Sequence, residues 1–168
     1  MESFRKQAGL EPYFENAYGF AVFDTIAKAG MGIGGAGGHG DVYVSKPELK
    51  KVGESRMIQL SFGFQFGGQV YSEIIFFETE RDFQNFTNGN FEFGADANVV
   101  ALSASASTSA TTMGNQGPKA GLSSDLVNVA EGLTRVEYTK GMKVFTLTRG
   151  GLMYQATISG QKFTYNSV

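Results

Sequence analysis

The clearest pattern in the chain runs from Arg56 to Phe66, where Ile58, Leu60, Phe62, Phe64 and Phe66 alternate with Gln59, Ser61, Gly63 and Gln65. A period of two describes a β-strand with one apolar and one polar face, because successive side chains of an extended chain point to opposite sides. Ile58, Leu60, Phe62 and Phe64, together with Ile74, Phe76, Phe83, Phe91 and Phe145, are therefore predicted to form the core. Gly67-Gly68 breaks or bulges this strand, and Val70–Phe77 (VYSEIIFF) resumes it as a more fully buried one. Gly19–Ile26 (GFAVFDTI) and Val42-Tyr43-Val44 read as strands on either side of a glycine run from Gly30 to Gly40, and residues 45–55 read as a charged loop.

Helical signals are few. Phe4, Ala8, Tyr13, Phe14 and Ala17 share a stripe over residues 2–17, interrupted by Gly9 and Pro12. This stripe suits a short docking helix or, on a sharper reading, an amphipathic segment that inserts into a membrane. Thr79-Glu80-Arg81-Asp82 resembles a capping box, Phe83 and Phe86 follow three apart on one helical face, and Gly89 is placed to end the helix. Phe91 and Phe93 flank Glu92 in another strand candidate. Residues 101–112 alternate Ala and Ser as a closely packed strand, or else form a linker; 113–124 is a loop, and Asp125–Ala130 a helical turn. Strands return at Met142–Leu147, Leu152–Ile158 and Lys162–Tyr165, with Ser159-Gly160 as a tight turn between the last two. Gly19-Phe20-Ala21-Val22-Phe23 also echoes Gly141-Met142-Lys143-Val144-Phe145, so the two ends are either related hairpins that pair or pack together, or a coincidence in a Gly/Phe-rich chain. The sum is an α+β, β-rich fold: a single curved antiparallel or barrel-like sheet with a few short helices. At 168 residues, one domain over 1–168 is expected.

Composition narrows the function. The 23 glycines and 15 phenylalanines suit a β-rich core in which backbones approach closely. The net charge of −2 excludes a whole-domain basic field for nucleic acid. The absence of cysteine excludes disulfides, thiolate catalysis and cysteine-ligated zinc or iron–sulfur sites. No stretch approaches a membrane-spanning run of about 18–20 apolar residues, and no apolar signal region follows Met1. The location is thus periplasmic or membrane-associated if a leader has been removed, and otherwise cytoplasmic.

Gly32, Gly34 and Gly37 satisfy G-x-G-x-x-G, but strand residues Asp41-Val42-Tyr43-Val44 follow instead of the helix a dinucleotide needs. Close packing of Gly32 to Gly38, Gly35 included, is the better account. His39 is a lone histidine without a nucleophile elbow or a second imidazole. Glu73, Glu78 and Glu92 sit among apolar residues; they either form a glycosidase-like carboxylate pair or, as favoured, accept hydrogen bonds and pair with Lys or Arg. No enzyme activity, cofactor or metal is therefore expected. The basic residues are more informative. Lys46, Lys50, Lys51 and Arg56 gather around one loop, Lys140, Lys143 and Arg149 around another, and Lys28 precedes the glycine run. Two such loops at one end of a barrel would suit anionic headgroups, at about 1 kcal/mol per basic residue near the surface.

Read in order, AYGFAVFDTIAKAGMGIGGAGGHGDVY (17–43), FGFQFGGQVYSEIIFFE (62–78), FTNGNFEFGA (86–95) and GLMYQATISGQKFTY (151–165) resemble the SYLF domain family, in the style of its stand-alone bacterial members. The resemblance implies lipid binding, of phosphoinositides especially, and actin binding and regulation in fungal relatives, without catalysis. It also implies a lipid-binding role for an N-terminal amphipathic helix with basic residues, which matches residues 2–17 with Arg5 and Lys6. The expected partner is an anionic phospholipid or membrane surface, met through Arg5, Lys6, Lys28, Lys46, Lys50, Lys51, Lys140, Lys143 and Arg149. The alternative is a protein-interaction or assembly module with a protein partner.

Overall fold

The computed structural model of the chain describes residues 1–7, 9–88, 91–93, 99–103, 110–113, 138, 141–151 and 161–168. Two strands dominate it: β1 (Gly19–Val44) and β2 (Lys50–Phe77), of 26 and 28 residues, pair antiparallel as one long hairpin. The glycine run and Gly67-Gly68 lie inside these strands instead of dividing them, and the turn shrinks to residues 45–49. The ladder absorbs its irregularities as register shifts after Phe23, Met31 and Val42.

The other edge of β2 is shared. β6 (Met142–Gly151) pairs with its second half, Gln69–Phe77, and β7 (Gln161–Ser167) with its first half, Gly53–Gln59. β3 (Phe91–Phe93) extends the sheet beyond β7. β4 (Val99–Ser103) joins β6 in parallel, and β5 (Ala110–Met113) pairs with β4. The described residues thus form one curled, predominantly antiparallel half-barrel of seven strands. Residues 101–112 contribute to two strands, with 104–109 outside the described residues. Gly89, the helical turn at Asp125–Ala130, the strand at Leu152–Ile158 and the Ser159-Gly160 turn also lie outside them.

The curl depends on close contact of β1 with itself. A Cβ at Gly40 would stand 2.6 Å from the Val22 carbonyl oxygen, and one at Gly38 would stand 2.7 Å from that of Thr25. The end of β1 therefore crosses its own beginning at a separation only glycine permits. Gly35 differs from expectation: its nearest neighbour, the Gln59 carbonyl oxygen, would be 3.8 Å from an added Cβ, an ordinary contact that a methyl can make.

Each face of the sheet has its own core. On the inner face Ala21, Phe23, Ile26, Met57, Tyr71, Ile75, Phe77, Val144 and Phe163 pack with Phe83 and Phe86 of α3 (Glu80–Thr87). Thr79 caps that helix as predicted, accepting from Asp82 N at 3.3 Å. On the opposite face Phe20, Val22, Ile74, Phe76, Phe145 and Leu147 are covered by Phe4, Leu10 and Tyr13, which come from α1 (Glu2–Arg5) and α2 (Glu11–Asn16) or the link between them. Tyr13 sits 5.5 Å from the Phe76 ring and 5.0 Å from that of Phe145. Tyr71–Phe77 is buried throughout because both of its faces are covered. The N-terminal segment is thus a docked one: the apolar side chains that membrane insertion would need are already buried on the sheet. The echoed segments Gly19–Phe23 and 141–145 do not pair with each other, but flank the same stretch of β2, with Val22 and Phe145 both opposite Ile74.

The phase of the alternation at the start of β2 is the reverse of that predicted. Met57 is fully buried while Ile58 is 48% exposed, and Ser55 and Gln59 face inward. Met57 lies opposite Phe163 of β7, while Gln59 joins a buried set of polar partners. Phe91 is partly buried, and Ile74, Phe76, Phe83 and Phe145 are buried as expected. The side chains of Leu60, Phe62 and Phe64 lie outside the described residues.

Candidate functional site

Three backbone hydrogen bonds draw separate segments to one end of the half-barrel. Ser45 N donates to Tyr18 O at 2.9 Å, Tyr18 N to Phe77 O at 2.9 Å, and Glu78 N to Gly141 O at 2.8 Å. The turn of the β1–β2 hairpin thereby meets the segment entering β6. Lys46 and Lys50 are exposed there, and Lys46 Nζ reaches the Asn16 carbonyl at the end of α2, 3.2 Å away. Lys143 lies half-buried on β6 with its ammonium 6.0 Å from the Phe145 ring. Arg5 stands over the Phe14 ring, which packs against Phe20, and Phe20 stacks on Tyr43 near the hairpin turn. Arg5, Lys46, Lys50 and Lys143 are therefore brought to one region. Lys6 is exposed just after α1.

Two expected members do not fit. Lys28 is 9% exposed, on the inner face two residues after Ile26, and burial lowers its pKa. The strand's parity, not the loop that follows, sets its direction, and a desolvated ammonium is not a surface headgroup contact. Lys51 is held by Asp41 at 2.7 Å and Glu54 at 3.0 Å, and these hydrogen bonds push its pKa up. Its charge is locally neutralised. Lys140 and the Arg149 side chain lie outside the described residues.

The inner face holds a polar cluster that sequence reading missed. Gln161 Nε2 donates to Glu73 Oε2 at 3.0 Å and to Gln59 Oε1 at 3.2 Å, and Tyr71 Oη donates to Gln59 Oε1 at 3.4 Å. Desolvation raises the pKa of Glu73 to about 7, against the opposing effect of the Gln161 hydrogen bond. Glu73 was legible as a carboxyl among apolar residues, but Gln59 read as the polar half of an alternating strand and Gln161 fell between the Ser159-Gly160 turn and the strand starting at Lys162. Glu78 and Glu92 are exposed, and Glu92 pairs with Lys162 at 3.6 Å, so these carboxylates do not gather with Glu73. His39 is exposed on β1. Among the described residues no three His, Cys, Asp or Glu side chains are grouped to hold a metal ion, and no helix is long and apolar enough to cross a membrane.

The described residues thus form a curled sheet with short helices on both faces. The family model Ysc84, described as Las17-binding protein actin regulator, matches residues 58–166. The chain belongs to this family. It is also similar to Beta cell expansion factor A of Aeromonas veronii, with 26% identity over 160 residues that cover 95% of this chain and 50% of that protein. The chain therefore spans about half the length of this curated relative.

Proposed function

We propose that the chain is a non-enzymatic module that attaches to anionic membrane surfaces through its basic end. The supporting observation is the convergence of Arg5, Lys46, Lys50 and Lys143, from three separate segments, on one region. Lys6, exposed beside α1, adds to the same charge, whereas the α1–α2 segment contributes charged groups and not an inserting apolar face. The overall charge of −2 keeps the attachment local and salt-sensitive. Co-sedimentation with vesicles of phosphatidylcholine alone, or supplemented with phosphatidylserine or a phosphoinositide, tests it. Binding to the anionic vesicles at low salt, lost at high salt, is expected; indifference to all three overturns it.

A second reading is a protein-interaction module, favoured by the family's description as a Las17-binding actin regulator. On that reading the basic end would meet an acidic protein surface, and vesicle binding would be absent.

A further inference from the structure

Across β2 from Glu73 stands Thr146 of β6, and on its other side Phe23 of β1. Directly paired residues share a face with their Cβ atoms about 5 Å apart, so the Thr146 hydroxyl and the Glu73 carboxyl are neighbours on the inner face. Gln161 reaches the same carboxyl from β7. All three side chains are buried, with exposures of 0% for Glu73 and Gln161 and 4% for Thr146. Each has an oxygen without a hydrogen-bond partner: Glu73 Oε1, Gln161 Oε1 and Thr146 Oγ1. Both amide hydrogens of Gln161 are already committed, to Gln59 and Glu73. The Thr146 hydroxyl carries one donor of its own, which reaches none of these oxygens, and a protonated Glu73 would add one more. Buried polar atoms are ordinarily satisfied, and three unpartnered oxygens on paired or hydrogen-bonded side chains of three adjacent strands point to a guest that carries donors.

We propose that this nest, Glu73–Gln161–Thr146, binds the primary ammonium group of a small ligand. An ammonium has three N–H donors and no acceptor, matching three open oxygens, and its charge compensates a desolvated carboxylate. Phe23 beside Glu73, and Met57 and Phe163 in the same inner core, are the apolar groups that a short alkyl tail would meet. The Tyr71 hydroxyl is already directed to Gln59, and burial raises its pKa, so it stays neutral. Lys28, a buried cation on this face among the described residues, lies opposite Gln69, four residues along β2 from Glu73, or about 13 Å away.

The test is a thermal melt of the whole chain with n-butylammonium chloride, against 1-butanol and tetramethylammonium chloride at equal concentration. n-Butylammonium should raise the melting temperature by several degrees. The alcohol lacks charge and the quaternary ion lacks N–H donors, so neither should do so. Glu73→Gln should abolish the response while raising the melting temperature of the free protein, because a buried ionisable group without full partners is removed. Thr146→Val, which keeps the side chain's shape, should weaken the response. An unresponsive wild type, equal responses to the three probes, or a response that survives in Glu73→Gln overturns the proposal. Should either variant fail to fold, discrimination among the three probes by the wild type decides the question.

Discussion

Gln161 donates to the buried carboxyl of Glu73 across 3.0 Å, although 88 residues separate them in the chain. The same amide holds Gln59, so the last strand ties together the two arms of β2. The inner polar cluster thus bridges the two arms of β2.

The ionisation of Glu73 should be visible in stability. Burial raises its pKa from 4.5 to about 7, so the folded chain holds this proton more tightly than the unfolded one. Its contribution is fully present below about pH 4.5 and is lost as pH rises through about 7, by about 3 kcal/mol at the alkaline end. The melting temperature should therefore fall between about pH 5 and pH 8 in the wild type and vary less in Glu73→Gln. A wild-type profile no steeper than that of the variant would contradict the burial assigned to this group.

The reversed phase of β2 predicts opposite outcomes at adjacent positions. Met57→Ala should cost about 2–5 kcal/mol, because Met57 is fully buried. Ile58→Ala should stay within about 1 kcal/mol, since half of its surface already meets water. Chemical denaturation of the two variants distinguishes this arrangement from one with Ile58 inside.

Glycines in one run should also separate. Gly40→Ala forces a methyl against the Val22 carbonyl and the Phe23 ring and should cost about 1–3 kcal/mol. Gly35→Ala places its methyl at ordinary contact, 3.8 Å from the Gln59 carbonyl oxygen, and should change stability by no more than about 0.5 kcal/mol. Equal losses would show that the crossing of β1 on itself is misplaced.

Much of this architecture was legible in the residues themselves. VYSEIIFF announced a doubly covered strand, Thr79 and Asp82 announced a capped helix, and repeated alternation announced a curved β-rich sheet. The inner face of the first arm of β2 was not legible. Alternation reports two different faces but not which is covered, and here the covered one carries Ser55 and Gln59 beside Met57. Long-range partners decided that, and Gln161 lies 102 residues from Gln59. The direction of Lys28 was hidden for the same reason: strand parity, fixed by the bulge after Phe23, turned it inward. The meeting of the basic segments was legible only as composition, since three backbone bonds between distant residues create it.

The N-terminal segment should behave as part of the core. Tyr13 packs against Phe76, Phe145 and Tyr138, so Tyr13→Ala should cost about 3–5 kcal/mol. The same variant should melt at a lower temperature whether or not vesicles are present. A melting temperature equal to that of the wild type would mean that the segment is not docked.

Paired charge reversal distinguishes the proposed membrane attachment through the basic end from attachment elsewhere on the surface. Lys46→Glu with Lys50→Glu changes two exposed residues at the hairpin turn, while Arg56→Glu changes another exposed residue, six positions further along β2 than Lys50. Exposed charges contribute little stability, so the melting temperatures should stay close to that of the wild type. Co-sedimentation with phosphatidylserine-containing vesicles at low salt should drop at least about tenfold for the pair, from the loss and reversal of about 1 kcal/mol per residue, and change little for Arg56→Glu. Equal binding by the wild type and the paired variant would mean that the hairpin-turn lysines do not carry the attachment.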